Sequence, residues 1–124
     1  MILFLVLTNK SFATVINNLN TQSGIIALMY HRFNENKYPS TNIKNEVFVE
    51  HLSQIENLGI EFISFNKFLE VINSNNIDKN YVLLTIDDAF ESFYSNAWPI
   101  IKNKNIPFIL FVSTREVGKN GYMT

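Results

Sequence analysis

Apolar residues along this chain gather in short blocks, and the blocks switch between two spacings. Ile25-Ile26-Ala27-Leu28-Met29-Tyr30 is an unbroken run of six, the length and texture of a strand buried on both faces. Tyr81-Val82-Leu83-Leu84-Thr85-Ile86 reads the same way, and Pro107 opens a third such run, Phe108 to Val112. Between the first two, Val47, Phe48, Leu52, Ile55 and Leu58 recur at helical spacing, and Gly59 stands where a helix C-cap belongs. Ile60 to Phe65 predicts a short strand. Asn66 is positioned to cap a second helix through Phe68, Leu69 and Ile72, which ends at the Asn-rich turn 73–76. After Asp88, the positions Phe90, Phe93, Tyr94, Ala97, Ile100 and Ile101 mark one face of a helix that Pro99 is expected to kink or divide.

Strands that alternate with helices predict βα units around a parallel sheet, an α/β fold. Three or four such units do not close a barrel, which takes about eight strands. An open half-barrel exposes a hydrophobic edge, so the pattern leads us to expect further sequence after Thr124. Residues 25–124 form the predicted domain, and the polar stretch 14–24, ending at Gly24, reads as a linker or mature N-terminus. Residues 1–13 read as an export signal. Ile2–Leu7 is apolar, and Ser11 and Ala13 supply the small residues of a cleavage site, although no basic segment precedes the run. The alternative is an ordinary first strand. Either way the run is too short to span a bilayer, which takes about 20 apolar residues.

Composition narrows the chemistry. A formal charge of −1 over 124 residues gives no footprint for nucleic acid or an anionic membrane. With no cysteine, any metal must be held by His, Asp or Glu.

The candidate chemistry sits at Thr85-Ile86-Asp87-Asp88-Ala89-Phe90. Two adjacent carboxylates at the C-terminal end of a buried strand lie where α/β proteins build active sites. They repel each other, and a divalent metal relieves that repulsion by taking one as a ligand and leaving the other as a base. The plain alternative is a capping box, because Glu91 follows Asp88 by three residues. His31 follows a strand end and could line a substrate mouth or be an ordinary loop residue. His51 flanks the apolar face of the 47–58 helix and reads as helix surface. Trp98 and the phenylalanines read as core.

Thr-Ile-Asp-Asp-Ala resembles the first motif of the polysaccharide deacetylase (NodB-homology) family, usually Thr-Phe-Asp-Asp-Gly. Asn96-Ala97-Trp98-Pro99-Ile100 falls on that family's first helix. Ile106-Pro107-Phe108-Ile109-Leu110-Phe111-Val112 is similar to its Pro-Ala-Thr-Phe-Phe-Val strand, and Leu28-Met29-Tyr30-His31 to the Tyr-His strand end of the exported poly-N-acetylglucosamine deacetylase branch. The resemblance runs over about residues 25–124, with the family core from about 80. It implies the N-terminal part of a distorted (β/α) barrel that hydrolyses N-acetyl groups of a polysaccharide with a divalent metal, zinc or another transition metal. Asp87 would then be the base, Asp88 a metal ligand and His31 a substrate-binding residue, in an exported protein. The family's His-Ser/Thr-x-x-x-His motif is absent, since the chain has only His31 and His51. The implied alternative is therefore an inactive, carbohydrate-binding member or fragment.

Overall fold

The computed structural model describes residues 2–6, 12, 23–74 and 76–124. Its frame is a parallel sheet of five strands: β1 (Ile2–Val6), β2 (Ile25–Tyr30), β5 (Glu61–Phe62), β6 (Tyr81–Asp87) and β7 (Phe108–Phe111). The order is β1-β2-β6, and β5 and β7 share the far flank of β6. β5 pairs only with Tyr81 and Val82. The rest of that flank is left to β7, which pairs with Leu84 through Asp87. The predicted strand from Ile60 to Phe65 thus contracts to two residues, and α2 (Phe65–Asn73) begins where it was expected to continue. The cap of α2 is Ser64, whose Oγ accepts from Lys67 N at 3.3 Å, not Asn66.

Strand alternation gives the sheet two faces. Ile26, Leu28, Tyr30, Val82, Leu84 and Ile86 share one core with Phe48, Leu52 and Ile55 of α1 (Asn45–Asn57) and with Phe93, Ala97 and Ile101. Ile25, Tyr81 and Leu83 join a second core with Ile63 and Val71 of the α2 side. Gly59 has φ +67° and donates to Glu56 O, the left-handed stop that its position after α1 requires. At the sheet's amino end the polar groups are paired: Gly24 N donates to Asn80 Oδ1, and Tyr81 N to Gly24 O, both at 2.9 Å. Tyr81 Oη also donates to Asp78 Oδ1 at 2.9 Å.

Pro99 does not divide its helix. It sits on the second residue of α3 (Trp98–Asn103), directly after a π-helical turn, Phe93–Ala97, in which Trp98 N reaches back to Phe93 O. A wider turn accommodates the proline ring and its missing donor without a break.

Two other expectations change. The segment 31–43, read as a loop, contains a small parallel pair, β3 (Arg32–Phe33) and β4 (Asn42–Ile43). Asparagine side chains build it: Glu35 N donates to Asn42 Oδ1 at 2.6 Å and Asn45 N to Asn34 Oδ1 at 3.0 Å. His51 is not on the helix surface. It is 3% exposed, stacked on Phe12 at 3.8 Å, with its Nδ1 2.9 Å from Tyr30 Oη.

Most of the stretch read as an export signal lies outside the described residues, as does most of the linker 14–24. Within that stretch, Ile2–Val6 pairs in register with Ile25–Met29, as the alternative strand reading expects. Among the described residues no helix is long and apolar enough to cross a membrane.

Candidate active site

Register decides which side chains meet at the carboxyl end of the sheet. Tyr30 pairs with Ile86, so the next step sets His31 beside Asp87. Alternation puts both on the face of Ile25 and Leu83. Asp87 also pairs with Phe111 of β7. Two residues further on, Ser113 Oγ donates to Asp88 Oδ1 at 2.7 Å. Asp87, Asp88 and His31 therefore come to one rim, from two neighbouring strands.

The two carboxylates differ in what surrounds them. Asp87 Oδ1 is buried and has no hydrogen-bond partner among the described residues. Burial raises the Asp87 pKa above the usual carboxylate value, the charge of His31 opposes that rise, and the charge of Asp88 adds to it. A raised, unpartnered carboxyl group at a strand end is suited to accept a proton. Asp88 faces Ser113 instead. It does not cap the helix that follows: its φ is +67°, and Glu91 N donates to Gly121 O at 3.0 Å.

The backbone of this turn is strained. Asp88 and Ala89 both have positive φ, at +67° and +52°, a region that costs a non-glycine residue roughly 1–2 kcal/mol. Contacts on both sides hold it. Met123 N donates to Ala89 O at 2.9 Å, and the Phe90 ring packs 4.7 Å from that of Tyr122. On the other side, the Arg32 guanidinium lies 3.4 Å over the Phe90 ring and 4.0 Å over that of Tyr38, and is paired with Glu35 at 2.8 Å. Sequence reasoning passed over both Ser113 and Arg32. A serine just beyond a strand's carboxyl end, and an arginine beside a strand-end histidine, were the available signals.

The donor set is short for a metal. Among the described residues there is no group of three or more His, Asp or Glu that could hold an ion, whereas a catalytic zinc site takes three protein ligands. Asp88 and the unpartnered oxygen of Asp87 are the available anionic donors, and these residues alone do not make a metal centre.

No family model matches the sequence. The chain is 26% identical to the poly-beta-1,6-N-acetyl-D-glucosamine N-deacetylase of Staphylococcus aureus (strain MSSA476), a match covering 82% of this chain and 40% of that protein. It is 25% identical to the enzyme of the same name from Staphylococcus epidermidis, covering 98% of this chain and 50% of the relative. Among solved structures, IcaB from Ammonifex degensii superimposes with a TM-score of 0.72 at 27% identity, over 83% of this chain and 45% of that one. In sequence and fold, this chain is similar to part of a polysaccharide deacetylase. The Streptococcus pyogenes deacetylase PplD, at 24% identity, shares the fold with a TM-score of 0.69 over 83% of this chain and 50% of that one. The α/β architecture is accordingly of the NodB-type deacetylase kind. The chain spans 40–50% of the length of these curated relatives.

Proposed function

We propose that this chain contributes the Asp–Asp–His rim of an enzyme that hydrolyses N-acetyl groups of an amino-sugar polysaccharide. The observation that carries the reading is the buried Oδ1 of Asp87, unbonded among the described residues, at a strand end, one step past the Tyr30–Ile86 pair and within the electrostatic reach of His31 on the neighbouring strand. Asp87 takes a proton from the water that attacks the acetamide carbonyl. His31, on the same rim, is placed to contact the substrate, and the proton taken up by Asp87 is the one available to the departing amine. Asp88 serves as one anionic ligand toward a divalent ion, zinc or another transition metal, in a set that these residues do not complete.

Asp88→Asn tests that assignment. A neutral amide is a poorer ligand, so the variant of the native protein should lose both metal content, read by elemental analysis, and acetate release from an N-acetylglucosamine oligomer. Retention of both would contradict the ligand role.

The incomplete donor set favours a second reading, a carbohydrate-binding member that does not turn over. It predicts sugar binding without acetate release.

A polysaccharide substrate supports export. The stacking of Phe12 on His51 and the pairing of β1 with β2 support retention of the N-terminal segment in the folded protein. Secreted protein whose intact mass includes Phe12 would agree with this; a mature N-terminus beyond Ala13 would refute it.

A further inference from the structure

The excursion between β2 and α1 is docked on the segment that follows the Asp pair, and Arg32 is where it meets the turn. Phe33 is buried in the main core. Its N donates to Ser92 Oγ at 3.2 Å, and its O accepts from Asn96 Nδ2 at 3.2 Å. Arg32 N donates to Thr41 O at 3.1 Å. The backbone that delivers the Arg32 side chain is therefore fixed on both sides. The side chain is fixed as well: it is 13% exposed, paired with Glu35 at 2.8 Å, and laid over the rings of Tyr38 and Phe90 at 4.0 and 3.4 Å. An arginine already ordered by one partner meets a second at little further cost in rotamer entropy.

Phe90 is the residue that this contact locates, and it follows directly on Asp88 and Ala89. Those two hold φ +67° and +52°, where an L side chain crowds the backbone. Relaxation of either angle to negative φ turns the chain beyond it and carries the Phe90 ring away from the guanidinium. The reverse also holds, so a ring kept against Arg32 favours positive φ at both residues. The Asp88 carboxylate, 2.7 Å from Ser113 Oγ, keeps its place by the same constraint, whereas Asp87 is held by strand pairing.

We propose that Arg32 is a positioning residue: through Phe90 it holds the Asp88–Ala89 turn in the left-handed conformation that sets Asp88 beside Asp87. The role is needed because an alanine stands at position 89. A glycine there adopts positive φ without strain and would make the arginine largely dispensable. Only the catalytic consequence rests on the deacetylase reading, since the clamp itself concerns the turn.

The test is a double-mutant cycle on the native protein, with Arg32→Met and Ala89→Gly made singly and together. It is read by the amide resonances of residues 87–90 and by acetate release from an N-acetylglucosamine oligomer per folded molecule. Arg32→Met should shift or split the amide signals of Asp88 and Ala89. It should also lower kcat about tenfold at nearly constant KM, the scale of one well-placed cation–π contact. In the Ala89→Gly background the same substitution should leave those signals in place and change kcat by no more than about twofold. A merely structural arginine would not be rescued in this way, because losses at uncoupled sites add. Arg32→Lys keeps the charge opposite Glu35 without the flat guanidinium; it should show the same coupling on a smaller scale, and it takes the place of Arg32→Met if that variant does not fold. Unmoved amide signals in Arg32→Met, or in Arg32→Lys where it stands in, overturn the proposal. So do equal losses in the two backgrounds, and so does a raised KM at unchanged kcat, which would make Arg32 a substrate contact. If the wild type releases no acetate, the deacetylase reading fails, and the amide signals alone still judge the clamp.

Discussion

At the amino end of β2 and β6, Gly24, Asn80, Tyr81 and Asp78 bond to one another, and Ile25 and Leu83 are buried against the α2 side. At the carboxyl end of the same two strands, Asp87 Oδ1 is buried without a partner, and two consecutive non-glycine residues hold positive φ. The strands, the face and the sheet are the same, yet polar satisfaction is nearly complete at one end and withheld at the other. Unsatisfied charge and backbone strain persist only where surrounding structure enforces them, and they gather at functional sites. Here Arg32, Phe90, Tyr122 and the Met123–Ala89 hydrogen bond supply the enforcement.

That contrast can be broken from the closed end first. Ile25→Ala removes a side chain that is 1% exposed and should cost roughly 2–5 kcal/mol. Denaturant unfolding reads the loss, and the chemistry per folded molecule should be unchanged. A matching loss of turnover per folded molecule would mean that the two ends are not separable.

A smaller effect comes from His51, beneath the rim. Burial lowers its pKa, against a partial opposing pull from Glu50, and strong burial raises that of its neighbour Tyr30. The imidazole is therefore held neutral, with Nδ1 hydrogen-bonded to the Tyr30 hydroxyl at 2.9 Å. A lowered histidine pKa means that the unfolded chain binds the proton more readily. The stability contributed by neutral His51 is thus fully present above its ordinary pKa of about 6.5 and declines as pH falls through the lowered value. Thermal melts should show Tm falling by a few degrees from about pH 7.5 to about pH 5.5, with His51→Gln flattening that slope. A wild-type Tm that is unchanged or rises over this interval would contradict the buried, neutral assignment.

Sequence periodicity made β2, β6, α1 and the Asp pair readable because each is set by local spacing. His51 was readable too. It stands three residues after Phe48 and four before Ile55, on the face that those residues bury, and its polarity concealed a position that periodicity had marked. Ser64 displaced Asn66 as the cap because β5 stops early. The β3–β4 pair and the Arg32–Phe90 contact were not legible, since each depends on residues brought together by tertiary folding. The candidate rim was legible as a pair of carboxylates. Its asymmetry was not, because only the fold buries one oxygen of Asp87 and gives Asp88 to Ser113.

The central claim is that Asp87 is kept buried and unpartnered in order to act as a base. Acetate release from an N-acetylglucosamine oligomer by the native protein, compared with Asp87→Asn, tests it most directly when a thermal melt is recorded on the same samples. The account predicts a fall in turnover of about 10²–10⁴-fold, with Tm unchanged or raised because a desolvated carboxyl group has been replaced by a neutral amide. Undiminished turnover in Asp87→Asn, or a loss explained by a lowered Tm, would contradict it.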